Sequence, residues 1–233
     1  MTPWVSILTP VYNGIEFLEE CAMSVCLQAT SHESTAFTWE WIIGINGHGD
    51  GGRVLAEANR IKQKCMVDTI TVVNLPGVEG KVEALNAMTA IAKGDWIAVL
   101  DCDDTWERTK LLAQRLAIER APQPIDVIGT FCRYFGDIVS DGPLLPSGWI
   151  PPESFRRSNP IINSSVLIAR RLAHWEDRFG LEDYDLWLRL QKEGARFFNV
   201  PLHLVNHRIH MASAFNGKGG QDLEGLLQYH LKS

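Results

Sequence analysis

Residues 94–106 read GDWIAVLDCDDTW, and this stretch decides the fold that we predict for the chain. Positions 97–100 are apolar or small without interruption, which is typical of a strand buried on both faces. Three carboxylates follow, those of Asp101, Asp103 and Asp104. Because successive side chains of an extended chain alternate, Asp101 and Asp103 can face the same way. Close carboxylates repel one another unless a cation lies between them, so this DCDD motif (101–104) predicts a divalent-metal or nucleotide site.

Two further interpretations of the DCDD motif stay open at this point. An Asp at the start of a helix accepts backbone amide hydrogens, which suits Asp104 but explains three carboxylates poorly. The sequence DCDDT also resembles the DxDx[TV] motif of haloacid-dehalogenase-type phosphatases, in which the first Asp is phosphorylated and the second acts as acid and base. Those enzymes usually carry the motif on an early strand, whereas about a hundred residues precede it here.

The composition is that of a globular protein and argues against several classes. The chain has 233 residues, of which 45% are hydrophobic and 21% charged, and a chain of this length buries roughly 70% or more of its unfolded surface without disulfides. The net charge of −6 argues against general nucleic-acid binding, which usually requires a basic face. Five cysteines are an odd number and include no CxxC pair, which favours reduced thiols.

No targeting or membrane-spanning segment is predicted from the sequence. The first ten residues, MTPWVSILTP, contain neither a basic region nor a long apolar core. No run of the chain approaches the ~18–20 apolar residues that a membrane span requires. We therefore expect a cytoplasmic protein that can still work at the periphery of a membrane, through a partner or a lipid acceptor.

The first half of the chain alternates strand and helix patterns. The predicted strands are 5–8, 39–45, 69–74 and 97–100, and the predicted helices are 16–28, 53–64 and 81–92. This alternation predicts a largely parallel sheet with helices on both faces. Ligands of such sheets bind at the carboxyl ends of the strands, so TPVYN (9–13), NGHGD (46–50) and the DCDD motif should meet in one crevice. A Rossmann dehydrogenase is disfavoured, since no GxGxxG follows the first strand.

The second half of the chain has a less regular pattern. Helices are predicted at 108–120 and 184–193, with another beginning at 171–175, and strands at 125–134, 159–170 and 196–199. From position 212 a glycine-rich loop, either a lid or a frayed tail, leads to a short helix.

Several ordered pieces of the chain resemble the inverting glycosyltransferases of family 2, which have the GT-A fold. These pieces are VSILTPVYNG (5–14), INGHGDGG (45–52), GKVEALN (80–86), AVLDCDDTW (98–106), NPIINSSVLIARR (159–171) and LEDYDLWLRLQKEG (181–194). The resemblance implies one GT-A domain over 1–233, an α/β protein with a three-layer α/β/α sandwich and a mostly parallel central sheet. Within it, about 1–104 would form the Rossmann-like nucleotide-sugar-binding half, about 105–210 the acceptor-binding half, and 211–233 a flexible C-terminal segment.

The resemblance also implies a nucleotide-sugar donor, usually a UDP- or dTDP-sugar. The residues implied on the donor side are Thr9, Pro10 and Tyr12 in the base pocket with Asp50 nearby, Asn46, Lys81, Asp101, Cys102 as the spacer of the motif, and Arg208 as a diphosphate clamp. The family commonly carries two acidic residues where Ile45 and Asn46 stand. A carboxamide both donates and accepts hydrogen bonds, so Asn46 can read a base edge whose identity stays open. For Lys81, a solvated helix start is the alternative.

A divalent cation, Mn²⁺ or Mg²⁺, is implied under the diphosphate of the donor. Asp103 would coordinate it directly, with Asp101 beside it. His210 stands where relatives often place a phosphate or metal ligand, and an imidazole is acceptable to Mn²⁺. A purely structural histidine is the alternative for His210.

The acceptor side is implied by the pair Glu182 and Asp183. Inverting transfer requires a base that takes the proton of the acceptor hydroxyl, and Asp183 matches the base of the family. Glu182 would bind acceptor or cap the helix, and capping is also the alternative for Asp183. Trp187 suggests a surface that faces a sugar, and the loops within 137–152 would set specificity.

These residues predict a metal-dependent, inverting glycosyltransferase of glycan or polysaccharide biosynthesis. Its partners would be a nucleotide-sugar donor and a glycan, lipid-linked or protein acceptor, without nucleic acid. The alternatives are a phosphatase that uses DCDDT and a non-catalytic domain that binds nucleotide sugars or glycans. A loss of transfer on Asp183→Asn with unchanged donor binding separates the enzyme from the binding domain.

Overall fold

The computed structural model describes residues 2–32, 35–48, 52–176, 178–210 and 221–232. Strands and helices alternate up to the DCDD motif, as the sequence predicts. The elements are β1 (Val5–Val11), α1 (Leu18–Cys26), β2 (Ser31–His32), β3 (Thr35–Ala36), β4 (Trp39–Asn46), α2 (Gly52–Cys65), β5 (Ile70–Leu75), α3 (Lys81–Ile91) and β6 (Trp96–Val99). The four predicted strands and three predicted helices of this half are thereby confirmed, with ends that differ by a few residues.

The second half adds short strands, two long strands and three more α-helices. Its elements are β7 (Thr105–Trp106), α4 (Lys110–Arg120), β8 (Val127–Gly136), β9 (Ser140–Asp141), β10 (Gly148–Trp149), β11 (Leu167–Ala169), α5 (Glu182–Lys192), β12 (Phe197–Ile209) and α6 (Leu223–Lys232). Short 3-10 helices occupy Pro152–Arg156, Asn163–Ser165 and Arg170–Leu172. The short C-terminal helix predicted from sequence is α6, whereas the glycine-rich loop at 211–220 lies outside the described residues.

Three predictions for this half are wrong in extent or type. The strand expected at 159–170 is extended and paired only at Leu167–Ala169, because local hydrogen bonds such as Ser165 Oγ to the Ile162 carbonyl (2.8 Å) curl the polar start into a 3-10 turn. The helix expected at 171–175 is limited to the 3-10 turn Arg170–Leu172. The short strand expected at 196–199 extends through Ile209, since β8 pairs with it along most of its length.

The sheet positions the two halves of the site against each other. Its strand order is β10-β12-β8-β11-β6-β1-β4-β5, with β7 and β9 attached at β12 and β8. Strands β6, β1, β4 and β5 are parallel. The chain passes from β1 to β4 and β5 on one side and returns to β6 on the other, so the switch point of the sheet lies between β1 and β6. The carboxyl ends of these two strands carry Tyr12 and the DCDD motif, as predicted.

Helices cover both faces of the sheet and complete three layers. Alternate residues of β1 contribute to the two sides, since Ile7 belongs to the hydrophobic cluster with α1, α2 and α4, and Leu8 to the cluster with α3, α5 and α6. The backbone at Gly94 approaches β1 so closely that a Cβ atom there would lie 2.5 Å from the Ser6 nitrogen. This contact accounts for the glycine that begins the quoted stretch. The architecture confirms the predicted three-layer α/β/α sandwich with a mostly parallel core.

Candidate active site

Asp101 is the first carboxylate of the DCDD motif and pairs with a lysine. Its Oδ1 lies 2.7 Å from Lys81 Nζ, and its Oδ2 lies 3.5 Å from Asn163 Nδ2. Burial opposes ionisation of Asp101, yet Lys81 outweighs it and holds the pKa of the carboxyl below its ordinary value. Asp101 is therefore a carboxylate whose negative charge is already balanced by Lys81.

Lys81 begins α3 and connects the DCDD motif with the second acidic pair. Gly80 precedes it with φ +93°, a conformation that favours glycine, so the GK sequence turns the chain into the helix at this point. Lys81 Nζ lies 3.4 Å from Glu182 Oε1 as well as 2.7 Å from Asp101. Burial opposes the charge, but Asp101 and Glu182 raise the pKa of Lys81 above its ordinary value. Its alternative interpretation as a solvated helix start does not describe this environment.

Asp103 is less well compensated than Asp101. Its Oδ2 lies 2.9 Å from His210 Nε2. Burial, together with the neighbouring Asp104 and Asp101, raises the pKa of Asp103 above its ordinary value. A carboxylate in such surroundings gains from an added positive charge, which is the property expected of a metal ligand.

Asp104 was predicted to cap the next helix, and this prediction is wrong. The chain after it forms β7, which pairs with β12, and α4 begins only at Lys110. The Asp104 carboxylate is fully buried, accepts the Arg208 amide hydrogen at 2.8 Å and lies 2.9 Å from His207 Nδ1. Burial opposes protonation of His207, but the contact with Asp104 raises its pKa. Through these two contacts, Asp104 holds the C-terminal end of β12 against the DCDD motif.

Arg208 is engaged mainly by the protein itself. Its Nε donates to the Asp103 carbonyl at 2.9 Å, and its guanidinium contacts Glu20. The same group lies 4.6 Å from the ring centroid of Phe17 and 4.2 Å from that of Phe135. The contact residues Glu20, Phe17 and Phe135 were not foreseen from sequence. A role of Arg208 as a diphosphate clamp stays a prediction.

Asp183 lies in the first turn of α5, opposite the DCDD motif across Lys81. Its Oδ2 accepts from Asn159 Nδ2 at 2.9 Å, and its Oδ1 accepts the Tyr184 amide hydrogen at 2.8 Å. Burial and then the neighbouring Glu182 raise the pKa of Asp183 to about 6. Asp183 accepts only the amide of the following residue and does not cap α5, whose N-cap is Leu181 without a side-chain cap. Its raised pKa suits a base near neutral pH.

The predicted nucleotide-binding residues divide into exposed and buried ones. Tyr12 is 54% exposed, and its ring centroid lies 5.2 Å from that of His48. The Asn46 side chain is buried, with Nδ2 3.4 Å from the Gly80 carbonyl and Oδ1 without a hydrogen-bond partner among the described residues. Pro10 is half-buried, whereas Asp50 lies outside the described residues.

Thr9 and Trp187 are corrected by the structure, and the role of Cys102 as a spacer stays a prediction. The Thr9 side chain is fully buried and accepts from Trp41 Nε1 at 2.9 Å, so it supports the pocket and does not line it. Trp187 is fully buried in the core and contacts Phe197 edge-on, because α5 is covered over most of its circumference; it cannot face a sugar. The Cys102 thiol points to the Asn13 carbonyl at 3.3 Å.

The part of the chain that the structure describes bears on the predicted metal and membrane properties. Within that part of the chain, no helix is long and apolar enough to cross a membrane. The same part contains no group of three His, Cys, Asp or Glu side chains arranged to hold a metal ion. Asp103 and His210 form a pair, so a cation there would need further ligands from elsewhere.

Known proteins share this sequence pattern and this fold. The model of the glycosyl transferase family 2 matches residues 6–170. A Bacillus subtilis (strain 168) protein, TuaG, whose name assigns it provisionally as a teichuronic acid biosynthesis glycosyltransferase, is 28% identical over 222 residues, 90% of this chain and 81% of that protein. The Escherichia coli protein WfaP, named a UDP-Glc:alpha-D-GlcNAc-diphosphoundecaprenol beta-1,3-glucosyltransferase, is 28% identical over 152 residues, 60% of this chain and 56% of its own length.

A solved structure agrees with the fold over most of the chain. The mannosyltransferase PcManGT from Pyrobaculum calidifontis, in complex with GDP-Man and Mn²⁺, superposes with a TM-score of 0.68 at 16% identity. The overlap covers 91% of this chain and 59% of that one, so the chain spans less than two thirds of this structural relative. The fold is thus that of the GT-A glycosyltransferases.

The chain belongs to glycosyl transferase family 2, since the family model matches well over half of its length. It is accordingly an enzyme of the glycosyltransferase class. The phosphatase interpretation of DCDDT is wrong, because the motif lies inside the matched region.

Proposed function

We propose that the chain transfers a sugar from a nucleotide-sugar donor, most often a UDP- or dTDP-sugar, to an acceptor hydroxyl with inversion at the anomeric carbon. The observation that carries this proposal is the position of Lys81 Nζ, 2.7 Å from Asp101 and 3.4 Å from Glu182. The Lys81 ammonium thereby links Asp101 on the donor side to the pair of Glu182 and Asp183, which contains the proposed base. The donor-side residues and the proposed base are therefore neighbours, as a direct displacement requires.

Asp183 is proposed as the base of this displacement. With a pKa of about 6, the side chain is mainly a carboxylate at neutral pH and can take the proton of the acceptor hydroxyl. The hydroxyl oxygen then bonds to the anomeric carbon, and the bond from that carbon to the diphosphate oxygen breaks. The electron pair of the broken bond leaves with the nucleoside diphosphate. The hydrogen bond from Asn159 holds the carboxylate in place at 2.9 Å.

The residues around Asp103 fit a divalent cation. Asp103 and His210 would hold it, and the buried Oδ1 of Asn163, which has no hydrogen-bond partner among the described residues, is a further oxygen close to Asp101. A carboxylate, an amide oxygen and an imidazole form a donor set that Mn²⁺ accepts and Mg²⁺ accepts in part. A bound cation supplies positive charge for the diphosphate leaving group. The complex of the related mannosyltransferase with GDP-Man and Mn²⁺ supports this part of the proposal.

The acceptor proposed first is a sugar carried on a polyprenyl diphosphate. The name of the related glucosyltransferase specifies such an acceptor, a diphosphoundecaprenol-linked GlcNAc, together with UDP-Glc. Glycan and protein acceptors are the alternatives. A lipid-linked acceptor would bring the chain to a membrane surface, in line with the expected peripheral location.

A thermal-shift screen tests the donor side first. UDP, dTDP and GDP, and their common sugar derivatives, are added with and without Mn²⁺, and the proposed donor raises the melting temperature because it binds the native state. Transfer to a polyprenyl-diphosphate-linked GlcNAc is then followed, and NMR of the product gives the anomeric configuration. The absence of a shift with every nucleotide tested would contradict the proposal, and retention of configuration would overturn the role of Asp183.

A further inference from the structure

The turn before Glu182 and Asp183 has an unusual backbone. Phe179 has φ +63° and Gly180 has φ +67°. The left-handed region is rare for a large side chain such as phenylalanine, so this conformation persists only where surrounding contacts impose it. The proposed base lies three residues beyond Gly180, and its position therefore depends on what holds the turn.

Helix α6 supplies contacts that hold this turn. The Asp222 amide, just before α6, donates to the Phe179 carbonyl at 2.9 Å. The Phe179 ring centroid lies 6.1 Å from that of Tyr229. The Tyr229 hydroxyl accepts from Arg178 Nη1 at 2.9 Å, and the guanidinium lies 4.9 Å from the tyrosine ring. The turn is thus fixed from the side of α6.

A buried polar network connects α6 to the helix that carries Asp183. Asp185 is fully buried and His230 is 5% exposed. Asp185 Oδ1 lies 2.8 Å from His230 Nε2, and its Oδ2 accepts from Arg189 Nε at 3.0 Å. Arg189 also donates to the His174 carbonyl at 2.7 Å. Removing one partner of a buried carboxylate strongly destabilises the folded protein. The contact of His230 with Asp185 therefore restricts where this turn of α5 can lie.

Asp183 and Asp185 lie two residues apart in α5 and face different sides of the helix. Asp185 contacts α6, whereas Asp183 contacts Asn159 and lies beside Lys81 and Glu182. We infer that His230 is a positioning residue for the transfer: it holds Asp185, and through α5 and the Phe179–Gly180 turn it sets the position of Asp183. This inference rests on the proposed function, since it assigns Asp183 the role of the base.

The test compares His230→Leu with His230→Gln and with a control variant on the same helix. Leucine removes the polar contact to Asp185, whereas glutamine keeps an N–H donor within reach of it. Gln228→Ala is the control, because Gln228 is exposed and its side chain donates to Glu224 of the same helix. The expected result for His230→Leu is a fall of kcat by about tenfold or more, with the donor KM and the donor-induced thermal shift unchanged. His230→Gln regains most of kcat, and Gln228→Ala matches the wild type.

Amide hydrogen exchange at 178–184 gives a readout that does not require activity. Exchange there should be faster in His230→Leu than in the other variants, including at the Tyr184 amide bonded to Asp183. If His230→Leu does not fold, Tyr229→Phe, which deletes only the hydroxyl bonded to Arg178, should still raise exchange in this segment and lower kcat about twofold to fivefold. Unchanged kcat and unchanged exchange in the folded variants would overturn the inference. A wild type that binds donor but transfers nothing counts against the proposed function alone, and exchange then decides the role of α6.

Discussion

Lys81 Nζ lies 2.7 Å from Asp101 Oδ1, and this ion pair connects the start of α3 with the end of β6. The same ammonium lies 3.4 Å from Glu182 and lowers the pKa of the neighbouring Asp183, against the effects of burial and of Glu182. The charge of Lys81 therefore acts on both sides of the site.

Lys81→Met should move the acidic limb of the activity profile to higher pH. Without the ammonium, the pKa of Asp183 rises further, by about one unit on the scale usual for a neighbouring charge. The measurement is kcat/KM between about pH 5 and pH 8 for the wild type, Lys81→Met and Lys81→Arg. Arginine keeps the charge and should leave the limb near its original position. If the acidic limb of the kcat/KM profile of Lys81→Met coincides with that of the wild type, Lys81 does not affect the pKa of the proposed base.

Asp183→Asn should remove the base and leave donor binding intact. The loss of a general base typically lowers kcat by about 10²- to 10⁴-fold. In the wild type, activity should decline as pH falls through about 6, the pKa of Asp183, because the protonated acid cannot accept the acceptor proton. The thermal shift produced by the donor should equal that of the wild type. Equal activity of Asp183→Asn and wild type at neutral pH would falsify the assignment.

The same substitution should not destabilise the protein at neutral pH. The pKa of Asp183 is raised in the folded state to about 6 from an ordinary value of 3.8, so the folded protein binds the proton more tightly than the unfolded chain. The stabilisation from this group is present below about pH 4 and is lost as pH rises through about 6. Urea unfolding should therefore show that the stability of Asp183→Asn relative to the wild type is greater at pH 7.5 than at pH 4. A larger relative stability at pH 4 would reverse the sign of this argument.

The fold could be predicted from the sequence because each strand of the first half carries a local pattern. Positions 97–100 are uninterrupted and apolar, and the carboxylates that follow mark the carboxyl end of β6. The predicted convergence of Tyr12 with the DCDD motif follows from topology alone, since parallel strands end at one edge. β12 was underestimated because polar residues such as His203, Asn206 and His207 interrupt its apolar pattern.

The side-chain contacts of the site could not be predicted in the same way. Asp104 precedes what reads as a helix, and nothing local indicates that its partners lie 103 and 104 residues away in His207 and Arg208. Trp187 follows the acidic pair closely in sequence. Its side chain nevertheless points into the core, because the core covers most faces of α5. Asn159 was within reach of sequence reasoning, since it begins the segment that resembles the acceptor side of the family.

Asp104→Ala should loosen the end of β12 and with it the proposed metal site. The substitution leaves the Arg208 amide and His207 without their buried acceptor, which typically costs about 1–3 kcal/mol in the free energy of unfolding. Asp104→Asn keeps one acceptor oxygen and should cost less. Denaturant unfolding gives the stability, and Mn²⁺-dependent donor binding gives the effect on His210 and Asp103, which lie 2.9 Å apart. Wild-type stability in Asp104→Ala would show that the contacts to Asp104 are not structural.

Lys110 is fully buried, and no carboxylate pairs with it among the described residues. Its Nζ donates to Gln114 Oε1 at 2.9 Å and lies 3.8 Å from the Trp106 ring centroid. Burial holds the pKa of the ammonium well below its ordinary value of 10.5. The folded state thus binds this proton less tightly than the unfolded chain, and stability is lost as pH falls from about 10 toward the folded pKa.

Lys110→Met should remove this dependence on pH. Between about pH 7 and pH 9.5 the free energy of unfolding of the wild type should rise relative to Lys110→Met, by roughly 1 kcal/mol or more, since one pKa unit corresponds to about 1.4 kcal/mol. Lys64→Met is the matched control, because Lys64 is an exposed lysine in a surface ion pair with Glu19 and a surface pair contributes at most about 1 kcal/mol. Urea unfolding at the two pH values measures all three proteins. A wild type that follows the pH dependence of Lys110→Met would mean that Lys110 keeps an ordinary pKa inside the fold.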